Sequence, residues 1–90
     1  MAIILPGKSI CPICNQPILA DDKTVSTSAF IENRESPLWP YSDAGMHQAC
    51  FSSWSLRDNF ILAFNDYYQQ HFRGSRTMLQ DGRIQETTPQ

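Results

Sequence analysis

The chain has 90 residues, of which 41% are hydrophobic and 11% aromatic, and a formal net charge of −2 from 7 Lys+Arg against 9 Asp+Glu. That composition excludes a disordered polymer, and the length allows one domain that buries about 60–65% of its surface, a margin thin enough that a staple is expected. The basic residues Lys8, Lys23, Arg34, Arg57, Arg73, Arg76 and Arg83 are scattered, so they form no electrostatic footprint for nucleic acid.

The first residues, MAIILPGKS, carry no charged segment ahead of the apolar run and no small-residue cleavage pattern behind it. They do not fit a signal peptide, and no stretch approaches the ~20 apolar residues of a membrane span. A cytoplasmic protein is the expectation. Three cysteines, an odd number, then argue against a disulfide framework and towards metal or thiol chemistry.

In chain order, Ile3, Ile4 and Leu5 suggest a short strand closed by the Pro6-Gly7 turn. After a cysteine turn, two β-prone runs, Ile18 to Ala20 and Thr24 to Ile31, flank Asp21-Asp22 and predict a hairpin. Pro37 and Pro40 make the stretch ENRESPLWPYSDAG an irregular loop. Ser42 or Asp43 then caps a first helix expected from near Ala44 to about Ser53.

A second helix is predicted from Ser55, with Asp58 three residues on as a variant capping box. Leu56, Phe60, Phe64, Tyr67, Tyr68, His71 and Phe72 recur at spacings of three and four, which defines an apolar stripe that ends before Gly74. Asp81-Gly82, between Met78-Leu79 and Arg83-Ile84, fits a tight hairpin, and Thr87 to Gln90 are expected to fray. The organisation read from this is a metal-binding unit over 1–73 and a tail over 74–90.

The chemistry lies in two pairs of equal spacing, one Cys–Cys and one His–Cys: Cys11 and Cys14 in "CPIC", and His47 and Cys50 in "HQAC", giving the pattern C-x2-C-x32-H-x2-C. Residues three apart converge on one point on a helix or in a tight turn, and three sulfurs with one imidazole nitrogen suit a tetrahedral zinc ion. Two alternatives compete. "CPIC" resembles the glutaredoxin motif, but a redox pair needs a helix starting at the motif, and Pro17 breaks one there. The redox reading also leaves the second pair a coincidence, and buried, inert thiols with a surface His are the other alternative.

The knuckle "CPIC", a hairpin, and a helix opening on "HQAC" together resemble a treble-clef zinc finger, as in one half of LIM or RING-like domains, over about Ser9 to Ser53. The resemblance implies an α+β fold with one structural Zn2+ held by knuckle ligands Cys11 and Cys14 and helix ligands His47 and Cys50. RING and LIM modules need eight ligands and His-metal nucleases need a further His and acidic set; neither is present, so neither activity carries over. A closed shell leaves no position for water, so a catalytic role is not expected and no small-molecule substrate is predicted. Such binding contributes on the order of 10 kcal/mol, so folding and loading should be coupled.

His71 is expected to pack on the helix stripe, and Asp21, Asp22 and Asp43 have adequate local roles at turns and at a helix start. Trp39, Tyr41, Phe51 and Trp54 suit a roof over the metal, with Trp39 and Tyr41 also candidates for a partner-contact loop. Phe64 and Tyr68 are candidate partner contacts if the long stripe exceeds what the rest of the chain covers. The functional expectation is a non-catalytic protein-binding module acting on a partner or a second copy of itself, with nucleic-acid binding and thiol redox chemistry as alternatives.

Overall fold

Val25 and Met46, 3% and 0% exposed, are the first pair of side chains that organise the chain. They face each other in an antiparallel ladder between β1, Thr24–Ser26, and β2, Gly45–His47, with Thr24 opposite His47 and Ser26 opposite Gly45. The structure, a computed structural model, describes residues 4–86. After β2 come α1, Gln48–Ser52, and α2, Arg57–Phe72, and then a second antiparallel pair, β3, Arg76–Met78, with β4, Ile84–Glu86. The result is a small α+β fold in which α2 packs on β3 while α1 lies against β1 and β2.

The first hairpin differs from the expected one. Ile18 does not begin a strand that pairs with Thr24 to Ile31, because its backbone is already engaged by the segment before the knuckle. Ile18 N–H donates to Ser9 O at 2.8 Å and Gly7 N–H donates to Ile18 O at 2.7 Å. With those groups taken, β1 finds β2 across the long segment 27–44, within which Trp39–Tyr41 form one 3-10 turn. Of the expected N-terminal strand, Ile4 and Leu5 are irregular and Ile3 lies outside the described residues, as do Thr87 to Gln90.

The first helix is shorter than the capping signal suggested, because Gly45 to His47 belong to the ladder. A Cβ at Gly45 would stand 2.7 Å from Ile4 Cδ1, so the missing side chain lets the N-terminal segment close over β2. Ser42 is not the N-cap of α1; its Oγ accepts from Phe30 N–H at 2.9 Å and Ile31 N–H at 3.2 Å, which ties the long loop to itself. α2 follows its predicted periodicity, although its N-cap position is Leu56 with no side-chain cap and Asp58 pairs instead with Arg57 Nε at 3.3 Å.

The stripe of α2 is covered from two sides. Phe30 meets Phe60 and Phe64 edge-on, with centroids 5.1 and 5.3 Å apart, and Phe51 of α1 and Trp54 of the turn after it close over Phe60. On the far side, Asn65 docks β3 by accepting from Met78 N–H at 2.7 Å and donating to Met78 O at 3.4 Å. Phe64 and Tyr68, proposed from the sequence as partner contacts, are therefore core residues at 1% and 5% exposure. Phe72, at the end of the stripe, remains 48% exposed.

The Asp81-Gly82 turn forms as expected. Gly82, with φ +88°, sits where any Cβ would collide with Val25 Cγ2 and lie 3.2 Å from Phe51 Cδ2, so this turn is wedged against the first hairpin and α1. Gln48 Nε2 donates to Asp81 O at 3.2 Å and reinforces the junction.

Candidate metal centre

The knuckle is built by local backbone chemistry. Asn15 N–H donates to Cys11 O at 2.8 Å and Cys11 N–H to Gln16 O at 2.9 Å, and Ile10 bridges to Pro17. Closing so short a loop requires a left-handed residue, and Asn15, at φ +60°, is of the type that tolerates it without a glycine. Pro12 presets the turn just ahead of it, and Pro17 ends any helical continuation.

The second pair arrives from a different direction. His47 is the last residue of β2 and also the N-cap position of α1, with extended backbone at φ −62° and ψ 134°. Gln48 N–H continues the pairing by donating to Lys23 O at 2.9 Å, after which the chain coils and brings Cys50 round within the first turn of α1. The i, i+3 convergence read from the sequence is present, with a strand end and a helix supplying the two ligands rather than a helix alone.

Cys11 Sγ, Cys14 Sγ, Cys50 Sγ and a His47 ring nitrogen all lie within 4.8 Å of one another. His47 Nδ1 is 3.3 Å from Cys14 Sγ and 3.8 Å from Cys50 Sγ. Ligands about 2.3 Å (sulfur) and about 2.0 Å (nitrogen) from a tetrahedral ion stand about 3.5 Å apart, so the two His47–sulfur spacings match such a shell to within a few tenths of an ångström. The donor set fits one divalent cation. The three cysteines are free thiols, with Cys11 buried and Cys14 and Cys50 half-buried.

Their surroundings are unequal. Burial opposes ionisation of Cys11, but the backbone around it, through His47, Cys14 and Ile13, together with the Cys14 side chain, brings its thiol down to about 7. His47 N–H stands 3.4 Å from that sulfur. Burial and the neighbouring Cys14 and Cys11 push the Cys50 thiol up to about 11. For His47 burial works downwards, yet the Cys14 and Cys11 sulfurs prevail and raise its pKa. Ionising neighbouring thiols at one spot is opposed by the repulsion between their thiolates, which a bound dication would offset.

One further participant has a partner that the sequence does not announce. Asp22, read there as a turn carboxylate, does accept from Leu19 N–H at 2.8 Å, but the same Oδ2 lies 3.1 Å from His47 Nε2. Its turn role is correct and incomplete; no spacing rule connects it to His47.

The candidate contact residues separate. Trp39 is 41% exposed, with the Arg34 guanidinium 5.8 Å from its ring centroid, whereas Tyr41 is half-buried and packs at a tilt on Trp54, centroids 4.5 Å apart. Phe51 is fully buried. His71 is exposed and packs on Tyr67 at 4.6 Å, away from the cysteines. Comparison of the chain with protein families, with curated proteins and with solved structures finds no match.

Proposed function

We propose that this chain is a treble-clef module that binds one structural Zn2+ through Cys11, Cys14, His47 and Cys50 and serves as a non-catalytic protein-binding unit. The convergence of four ligand atoms within 4.8 Å, from a knuckle and a strand–helix junction remote in sequence, carries the proposal. Soft thiolates with one imidazole favour zinc over harder cations, and a full protein shell leaves no coordination position for water or substrate. The knuckle, the β1–β2 pair and α1 follow one another as in that class of finger.

Bound zinc supplies a cross-link between the knuckle and the β2–α1 junction. The chain's residues supply the rest: Cys11 sits at the bottom of the cluster, the backbone around it favours its thiolate, and His47 closes the shell. Binding on the order of 10 kcal/mol matches the stability of a whole small domain. Chelation of the loaded protein should therefore abolish the cooperative thermal transition, and restoring zinc should return it. A chelated protein that melts unchanged would refute the structural role.

The protein-binding part is supported by apolar side chains left exposed, with Ile10 at 51%, Leu19 at 56% and Trp39 at 41%. Among the described residues no helix is long and apolar enough to cross a membrane. Comparative capture tests this part: Trp39→Ala should retain its metal and melting temperature while losing proteins that the wild-type chain retains. Identical captured sets would remove Trp39 from any contact.

A further inference from the structure

We propose that Asp22 is the positioning residue of the metal centre: its carboxylate fixes the His47 imidazole so that Nδ1 is the ligand atom. This rests on the zinc assignment and adds to it a residue outside the ligand set. A neutral imidazole carries one N–H and one lone pair, and which nitrogen keeps the proton is set by what the other atoms around the ring accept. Nδ1 faces the Cys14 and Cys50 sulfurs, at 3.3 and 3.8 Å, and Nε2 faces Asp22 Oδ2 at 3.1 Å. An ionised carboxylate only accepts, so it selects the Nε2–H tautomer and leaves the Nδ1 lone pair for the ion.

The carboxylate is itself held. Leu19 N–H donates to Asp22 Oδ2 at 2.8 Å, and Asp22 N–H returns a bond to Leu19 O at 3.1 Å, so the turn is closed in both directions. Gln48 N–H to Lys23 O then fastens the residue after Asp22 to the residue after His47, at 2.9 Å. Two successive residues of one segment thus grip two successive residues of the other, one by side chain and one by backbone. The two side chains are 17% and 32% exposed, so the pair is only partly open to water. Rotation of the ring about its outer bond would break the Asp22 contact and withdraw Nδ1 from the sulfurs together.

The consequence reaches beyond orientation. Three thiolates and a dication carry one net negative charge, and Asp22 adds a second through the ring, which strengthens the imidazole as a donor. The turn between knuckle and β1 therefore becomes part of the metal site.

Cobalt and zinc titrations with chelator competition on wild type, Asp22→Ala and Asp22→Asn test this, with heteronuclear NMR of the His47 ring in the loaded proteins. Asp22→Ala should bind either metal about 10–100-fold more weakly than wild type. Asp22→Asn keeps an oxygen for Leu19 N–H and His47 Nε2–H but loses the charge, so it should fall between the two. Wild-type His47 should show Nε2–H with Nδ1 on the metal. Equal affinities in all three proteins, or a wild-type ring protonated at Nδ1, would overturn the role of Asp22. Wild type that takes up no cobalt or zinc would instead overturn the metal assignment beneath it.

Discussion

Replacing Gly82 with alanine and comparing it with the same change at Gly7 isolates how tightly the second hairpin is wedged against the first. Both glycines have positive φ, +79° at Gly7 and +88° at Gly82, so both alanines incur a left-handed backbone penalty of about 1 kcal/mol. The surroundings differ. A Cβ at Gly7 meets nothing within 4 Å among the described residues, whereas at Gly82 it collides with Val25 Cγ2 and stands 3.2 Å from Phe51 Cδ2. Val25 is 3% exposed and Phe51 0%, so neither has space into which to withdraw, and overpacking of that kind costs a further ~1–3 kcal/mol. For a domain this small, about 1 kcal/mol moves the melting temperature by about 4–8 °C. With zinc held constant and in excess, Gly7→Ala should therefore lower it by about 4–8 °C, and Gly82→Ala by two to four times as much, at least about 8 °C. Equal shifts in the two variants would refute the packing of the turn on Val25.

Other substitutions and conditions probe separate contacts. Thr27 is 3% exposed and its Oγ1 has no hydrogen-bond partner among the described residues, so Thr27→Val should leave the melting temperature unchanged or raise it; a clear loss would mean that the hydroxyl is bonded. Asn65→Ala removes both bonds to the Met78 backbone and leaves its N–H unpaired, which should cost about 1–3 kcal/mol in denaturant unfolding, with Asn65→Asp, which keeps the acceptor, costing less. Metal affinity should fall on acidification, because protons compete for the thiolates. Cys50, at about 11, gives up a whole proton on binding at neutral pH, and Cys11, at about 7, adds its own below that point. The decline should steepen below about pH 7, measured by chelator competition, and an affinity independent of pH would contradict thiolate ligation.

What the sequence disclosed follows from the range over which each feature is encoded. Cys11 and Cys14, like His47 and Cys50, are three apart, and that spacing lets each pair converge by local geometry alone, so the four ligands are legible in the sequence. Between the two pairs lies a segment whose ladder, Val25 opposite Met46, depends on which backbone groups remain unpaired after the knuckle closes. Strands of three residues carry too little alternation to announce such a partner. α2 was legible because its aromatic spacing repeats over sixteen residues' worth of helix, Arg57–Phe72, yet the fate of its stripe was not. Phe30, from an irregular loop, and Asn65, on the polar side of the same helix, decide that Phe64 and Tyr68 are interior, and neither residue type signals that role in a sequence. Asp22 escaped for a related reason: its turn bond to Leu19 explained it fully at short range, and the bond to His47 exists only once the fold does.

Native mass spectrometry of the folded protein, purified without added chelator, tests the central claim most directly. The mass should exceed that of the apo chain by one zinc ion less the protons it displaces, and a Cys14→Ser, Cys50→Ser double variant should lose that increment. A wild-type chain that is folded and carries no metal would contradict the account.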